Sequence, residues 1–347
     1  MRRRLVPPGR ATCDAAPNIA LIKYWGMRDP SQGLPYNSSL SVTLDHLRTR
    51  TTVRFDPELE EDHFVLNGVP TGGGAFAAVI RFIDRVRAMA ELDQRAEVTS
   101  TNNFQTASGL ASSASGFAAL AGAATAAAGV PVDPRSLSRL ARLGSGSASR
   151  SVFGGFVQWN AGRSADGHDC FAQPLFGPDH WPELVDIVAL VADAPEKEVR
   201  SADAMQTSVR SSPRYGARQR AVPARLLRTR AAIRTRNGPA LFREMIEECD
   251  EFREVCETTD PPLDYLTQTS REILEGVRTM NASGDRWMAG YTHDAGAHVH
   301  IFTLQRDASR VRKELAGIAG ISRVLTLHPG PGLHLVPEAP KAPAKRR

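Results

Sequence analysis

The chain has 347 residues, 41% hydrophobic and 23% charged, enough to bury a core in one large domain or two medium ones. No stretch approaches the roughly 20 apolar residues of a membrane span, and no apolar core of a secretory signal follows the basic Met1–Arg10 segment, so a cytoplasmic protein is expected. The net charge of +5 is carried mostly by Arg, without the basic stripe and interleaved aromatics of a nucleic-acid binder.

Strand signals open the chain near Ala15–Leu21, Ser39–Asp45, Arg50–Phe55 and Ala96–Thr101, the third alternating and rich in Thr and Val. Apolar residues at helical spacing predict a helix over Ala77–Leu92. A second helix, small-residued and able to pack closely, is predicted over Ser112–Ala128. A third follows over Pro134–Leu143, with Asp133 as N-cap. Strands are expected at Phe153–Trp159 and Val185–Val191. Long helical patterns then run over Val222–Glu254 and Leu263–Met280. Strands at Met288–Tyr291, Val299–Phe302 and Val324–Leu327 complete the pattern, with a helix over Ala308–Ala319 between the last two. This is an α+β arrangement of two lobes with its seam near residue 190. The basic stretch Arg210–Arg236 reads as a solvated helix face. The tail Pro337–Arg347 has the composition of a disordered segment. Cys13, Cys170, Cys249 and Cys256 form no CxxC pair and read as reduced, buried or half-buried thiols; Cys249 and Cys256 could share one helix face, but a zinc site would need two more ligands nearby.

Four segments carry chemistry. Ala107–Gly116 (ASGLASSASG) is a small-residue turn opening into a helix, where backbone N–H groups and Ser hydroxyls can surround an anion; the same composition also serves tight packing. It is not a Walker A loop, since no GxxxxGK[ST] occurs. Gly144–Ser151 (GSGSASRS) repeats the signal and adds Arg150, a planar fork suited to a carboxylate or phosphate. Asn18–Gly26 (NIALIKYWG) holds Lys23, the only lysine in the first 196 residues, which reads either as a required ammonium or as a surface charge beside two aromatics. Tyr291–His298 (YTHDAGAH) places Asp294 where a strand gives way to a turn, as a carboxylate aimed into a cleft or as a cap. His293, His298 and His300 leave a metal reading open, although no further ligand set is evident.

Together with Leu34–Leu44 (LPYNSSLSVTL), Asn102–Gly116 (NNFQTASGLASSASG), Ala141–Phe156 (ARLGSGSASRSVFGGF) and Asp294–Gly296, these segments make the chain resemble the mevalonate diphosphate decarboxylases of the GHMP kinase superfamily. The resemblance implies a two-lobed fold: a ribosomal S5 domain 2-like N-terminal lobe over residues 1–190, a ferredoxin-like C-terminal lobe over 191–336, and a tail at 337–347. It implies phosphorylation of a C3 hydroxyl by ATP with Mg2+, then loss of phosphate and CO2 to leave an alkene. Carried onto this sequence, Asp294, Lys23 and Arg150 are the expected catalytic residues. Tyr24, Ser145, Gly146, Ser147, Arg150 and Ser201 are expected to bind substrate, and Ser100, Asn102, Ser108, Gly109, Ser112 and Ser113 ATP. No dedicated metal ligands are expected, the metal being held by ATP phosphates and water. A homodimer with a small-molecule substrate, and no nucleic-acid or membrane partner, is implied.

Two departures bear on the substrate. Met27 stands where the diphosphate-specific enzymes carry Lys, and Ala202 where bacterial relatives often carry Arg. Each charge-assisted contact is worth roughly 1.5–3 kcal/mol. (R)-5-Phosphomevalonate, giving isopentenyl phosphate, is therefore the expected substrate, with 5-diphosphomevalonate as the alternative and Arg200 or Arg28 as compensating cations. A mevalonate kinase without decarboxylation and a non-catalytic binding protein are the remaining readings. Smaller departures are Gln105 in place of Pro before the glycine turn, and His293, Ala297 and His298 around Asp294 in place of Phe, Pro and Asn.

Overall fold

Burial alternates strictly along Thr49–Asp56, with Thr49, Thr51, Val53 and Phe55 inward, and this period-two pattern makes the segment a central strand of the first sheet. The computed structural model describes residues 9–104, 112–195 and 199–337. In chain order the first half forms β1 (Arg10–Ala15), β2 (Asn18–Ile22), β3 (Met27–Asp29), β4 (Leu34–Pro35), β5 (Ser39–Thr43), β6 (Thr49–Asp56), β7 (His63–Leu66), β8 (Val69–Pro70), α1 (Gly73–Ala90) and β9 (Arg95–Asn102). Helices α2 (Ser112–Ala127), α3 (Pro134–Arg142) and α4 (Ala148–Ser151) follow, then β10 (Phe156–Trp159) and β11 (Ala172–Phe176). The second half comprises β12 (Leu184–Val191), α5 (Ser201–Ser211), α6 (Tyr215–Arg234), α7 (Gly238–Glu257), α8 (Gln268–Ala282), β13 (Ala289–Thr292), β14 (Val299–Leu304), α9 (Ala308–Ala316), β15 (Ile321–Leu327) and β16 (His334–Val336).

Three larger sheets organise these elements, in the orders β16-β1-β6-β9-β7-β8, β11-β10-β5-β2 and β13-β14-β12-β15. The first buries Val53, Phe55 and Val98 against α1 and the Ala-rich α2, whose Ala118, Ala119, Ala121, Ala123 and Ala124 are wholly buried. Small side chains let that helix sit close to the sheet. The second sheet, through Ile19, Leu21, Val42 and Phe156, shares a core with Val188 and Phe302 of the third, closed by α6 and α7. The opposite face of the third sheet (Val185, Ile187, Val299 and Ile301) packs on α8 and α9.

Three sequence expectations need adjustment. The strand expected over Ala15–Leu21 is two strands in different sheets, because Pro17 lacks an N–H and breaks the ladder. The helix expected over Val222–Glu254 is α6 and α7, interrupted where Arg236 turns left-handed (φ 52°) and the Asn237 side chain caps α7 by accepting from the Ala240 N–H at 3.1 Å. The seam expected at residue 190 cuts the end of β12, which pairs with β14 and β15 on its two edges; sheet membership leads us to place it between Phe176 and Leu184. The chain also returns to its beginning, since β16 pairs antiparallel with β1. Asp133 caps α3, accepting from the Ser136 N–H at 3.0 Å, with Pro134 at the first helical position. All four cysteines are free and buried. Among the described residues no helix is long and apolar enough to cross a membrane. Of the expected tail only Pro337 lies within the described residues.

Candidate active site

β2 delivers Lys23 into the seam between the lobes, and a tight turn follows. Gly26 makes that turn at φ 98°; a Cβ there would lie 2.1 Å from the Tyr215 hydroxyl of α6, so only glycine fits. The turn between β13 and β14 brings Asp294 to the same place. Lys23 Nζ lies 2.7 Å from Asp294 Oδ1, the ammonium buried and the carboxylate about a third exposed (31%). Burial is the largest influence on the Asp294 carboxyl and raises its pKa. The charge and hydrogen bond of Lys23, with His300 and Arg150 further off, outweigh it and hold the carboxyl below its usual value. Asp294 is therefore an anion at neutral pH.

Arg150 approaches from the N-terminal lobe on the short α4. Its Nε donates to Asn18 Oδ1 at 3.0 Å and its Nη1 to Ser39 Oγ at 2.6 Å, while Nη2 has no partner among the described residues. Asn18 is itself anchored to Ser151 Oγ (2.8 Å) and to the Ser147 carbonyl (3.1 Å). Burial lowers the guanidinium to about 10, against which Asp294 and Tyr24 raise it, so it stays charged at neutral pH. Tyr24 stands edge-on to Trp159, centroids 4.8 Å apart. Gly146 lies against this pair: a Cβ would meet Tyr24 Cε1 at 2.7 Å and Trp159 at 2.9 Å. Ser145 Oγ is 3.1 Å from Ser147 Oγ and 3.5 Å from Ser113 Oγ at the start of α2. The two small-residue segments singled out in the sequence thus meet, Ser112 and Ser113 opening α2 where its N–H groups and partial positive charge favour an anion.

Not every expected residue joins this cluster. Ser108 and Gly109 lie outside the described residues. The Ser100 hydroxyl is buried against Thr51 Oγ1 at 2.8 Å, within the first sheet. Asn102 Oδ1 accepts from Thr49 Oγ1 at 2.6 Å, and Thr49 in turn pairs with Ser115 of α2 at 2.7 Å, so Asn102 stands near the start of that helix. Ser201 opens α5, which packs against Trp25 through Ala204 and Met205 and donates from Gln206 Nε2 to the Met27 carbonyl at 3.1 Å.

The histidines divide among separate tasks. His293 Nδ1 donates to the Asp294 carbonyl at 2.7 Å, His298 Nδ1 accepts from the Val191 N–H at 3.1 Å, and His300 Nδ1 lies 2.7 Å from Asp186 Oδ2. Among the described residues no group of three His, Cys, Asp or Glu side chains could hold a metal. The expectation of a solvated Arg210–Arg236 face fails at two positions. Arg218 and Arg225 are buried and both engage Glu248 of α7, which is itself fully buried. The signal was present in the sequence, because Arg218, Val222, Arg225, Thr229 and Ile233 share one helical stripe. Asn18 and Ser39, which orient Arg150, sit inside quoted motifs but were not singled out.

Two family models match the chain: the diphosphomevalonate decarboxylase-like N-terminal domain over residues 15–172 and the mevalonate 5-diphosphate decarboxylase C-terminal domain over 187–325. A diphosphomevalonate decarboxylase of Ganoderma lucidum is 42% identical over 314 residues, covering 85% of this chain and 78% of that protein. The crystal structure of mevalonate diphosphate decarboxylase from Staphylococcus aureus is similar with a TM-score of 0.89 and 32% identity, over 95% of this chain and 98% of that one. A structure described as MDDEF in complex with MVAPP, AMPPCP and magnesium matches with a TM-score of 0.88 and 37% identity, over 94% and 98%.

Proposed function

Because the chain belongs to the diphosphomevalonate decarboxylase family, we propose that it is an ATP-dependent carboxy-lyase that turns 5-diphosphomevalonate into isopentenyl diphosphate. The observation that carries this reading is the convergence of Lys23 and Arg150 from one lobe with Asp294 from the other. The ionised Asp294 carboxylate accepts a hydrogen bond from the C3 hydroxyl and aligns that oxygen for attack on the γ-phosphoryl group of ATP, with ADP leaving. Lys23 places positive charge where the transferred phosphoryl group develops its own. Arg150, oriented by Asn18 and Ser39, holds the substrate carboxylate with Nη2, which has no partner among the described residues. When the C3–O bond breaks and phosphate leaves, the electron pair of the bond to the carboxylate carbon becomes the alkene and CO2 departs.

Hydroxyls at the start of α2 and in the 145–147 turn fit an ATP polyphosphate and a substrate phosphate side by side. Mg2+ would arrive with ATP and be held mainly by phosphates and water. There the ion would neutralise phosphate charge. Relatives whose names or complexes carry an ATP analogue, magnesium and the diphosphate substrate support the same partners here.

Relatives favour the 5-diphosphate over the 5-monophosphate expected from Met27 and Ala202. The monophosphate retains one specific support. The Gln206 contact to the Met27 carbonyl sets β3 beside α5, so the two positions lacking a cation lie on adjoining elements. Arg28 is partly occupied with the Ser164 carbonyl at 3.0 Å, whereas Arg200 is exposed at the N-cap of α5. ATP-dependent CO2 release from the 5-mono- and 5-diphosphates, compared by kcat/KM, tests the reading. Preference for the diphosphate is expected, falling at least tenfold in Arg200→Ala. Preference for the monophosphate, reversed by Met27→Lys, would establish the second reading. CO2 from neither substrate would overturn both.

A further inference from the structure

Lys23 is held by its peptide groups as well as by its side chain. Its N–H donates to Glu248 Oε1 at 2.9 Å, in the buried interior. Its carbonyl accepts from Arg218 Nη2 at 3.1 Å and from Asn37 Nδ2 at 2.9 Å. Glu248 and Arg218 also pair with each other, and Arg225 Nη1 reaches Glu248 Oε2 at 2.8 Å. Two residues on, the Trp25 carbonyl accepts from the Tyr215 hydroxyl at 3.1 Å and from Gln219 Nε2 at 3.4 Å; Gln219 also donates to Asn37 Oδ1 at 3.2 Å. Consecutive turns of α6 and one carboxylate of α7 therefore grip the segment that carries the candidate catalytic ammonium.

Stability alone does not account for this arrangement. A buried Arg–Glu–Arg triad loses hydration that its mutual attraction barely returns, and apolar replacements are often as stable. Here the cost is greater still, because Arg218 Nε and Nη1 find no acceptor among the described residues. What the triad does provide is direction. Glu248 and Arg218 fix the two peptide groups that flank the Lys23 Cα, one through its N–H and the other through its carbonyl, and an ammonium at the end of a four-carbon stem is placed only as well as its backbone.

We propose that Glu248 and Arg218 are positioning residues that hold the Lys23 backbone so that its ammonium stays against Asp294. The proposal rests on the decarboxylase reading for its kinetic consequence but not for its geometry. Glu248→Gln keeps an oxygen for the Lys23 N–H and removes the charge that orients Arg218; Arg218→Lys keeps the charge and loses the fork. Arg225→Lys perturbs the same buried carboxylate without touching Lys23, and serves as the control.

In the first two variants kcat is expected to fall by about 10- to 100-fold with KM for both substrates changed far less. Arg225→Lys should lower Tm by a similar amount at near-normal kcat. The Asp294 carboxyl, followed by 13C NMR titration, is expected to move upward in Glu248→Gln as Lys23 recedes, with Arg150 and His300 still facing it. That titration needs no turnover, so an inactive wild type would sink the decarboxylase reading while leaving the positioning role decided. Folded Glu248→Gln and Arg218→Lys proteins with normal kcat and an unmoved Asp294 titration would overturn the proposal. Should neither fold, Asn37→Ala removes one contact to the Lys23 carbonyl without disturbing a buried charge. A several-fold loss of kcat with an upward Asp294 titration is then expected, and no change in either would overturn the proposal.

Discussion

At the scale of single residues, the proposed chemistry turns on one contact. Asp294 is partly exposed, yet its carboxyl is held low because the Lys23 ammonium sits 2.7 Å away. A low carboxyl pKa keeps Asp294 ionised and a weak base, which suits a group that orients a tertiary hydroxyl rather than removing its proton early. Asp294→Asn preserves shape but leaves Lys23 unpaired and turns one oxygen into a donor. Its kcat should fall by roughly 10²–10⁴-fold, with ATP affinity nearly unchanged; a retained kcat would remove Asp294 from the mechanism. Arg150→Gln keeps the neighbourhood of Asn18 and Ser39 but loses the charge for a carboxylate. Slower CO2 release at a raised KM for the mevalonate substrate is expected there. An unaltered KM and rate would take the carboxylate away from Arg150.

Among the elements, the β13–β14 hairpin imposes a pH limit. It carries His293 and His298, both driven down to about 4 chiefly by burial. His298 can accept from the Val191 N–H only while Nδ1 is unprotonated. An unfolded His titrates near 6.5, so between about 4 and about 6.5 the unfolded chain binds more protons than the folded one. Stability therefore rises with pH across that window and is lost as pH falls through it. Tm measured from pH 4 to 7.5 should climb over this range, and less steeply in His298→Asn. Parallel curves for the two proteins would show that His298 is not responsible.

How far the elements could be read from sequence depended on how many forces acted on each. The N-cap at Asp133 and the alternating strand are local signals; the cap stands where the sequence puts it, and the strand expected at Arg50–Phe55 runs one residue further at each end, over Thr49–Asp56. The break between α6 and α7 was missed because its cause is a left-handed Arg236, a conformation that an Asn-Gly-Pro run signals only weakly. Helix α8 begins at Gln268 rather than Leu263, since Thr267 and Ser270 form a capping box. Segments for Lys23, Arg150 and Asp294 were visible as motifs. Glu248 and Arg218 form no motif: the stripe that Arg218 shares with Val222 and Ile233 marks an inward face, but the partner, a backbone some 200 residues away in the chain, leaves no local mark.

In the molecule as a whole, the proposed site lies where the proposed lobes meet. Lys23 and Arg150 come from one side and Asp294 from the other, and a shared core of Ile19, Leu21, Val42, Val188 and Phe302 locks the two sides together. The return of β16 onto β1 ties the end of the chain to its start and covers what would be an exposed strand edge. The kinase and the decarboxylase share the first half of the chemistry and part only at loss of the carboxylate, the step at which Arg150 is proposed to act. ADP and CO2 should therefore be quantified together in one reaction with ATP, Mg2+ and 5-diphosphomevalonate. One CO2 for each ADP is expected throughout the time course. ADP accumulating without CO2 would make the protein a kinase that stops at the phosphorylated product, and would contradict the role given to Arg150.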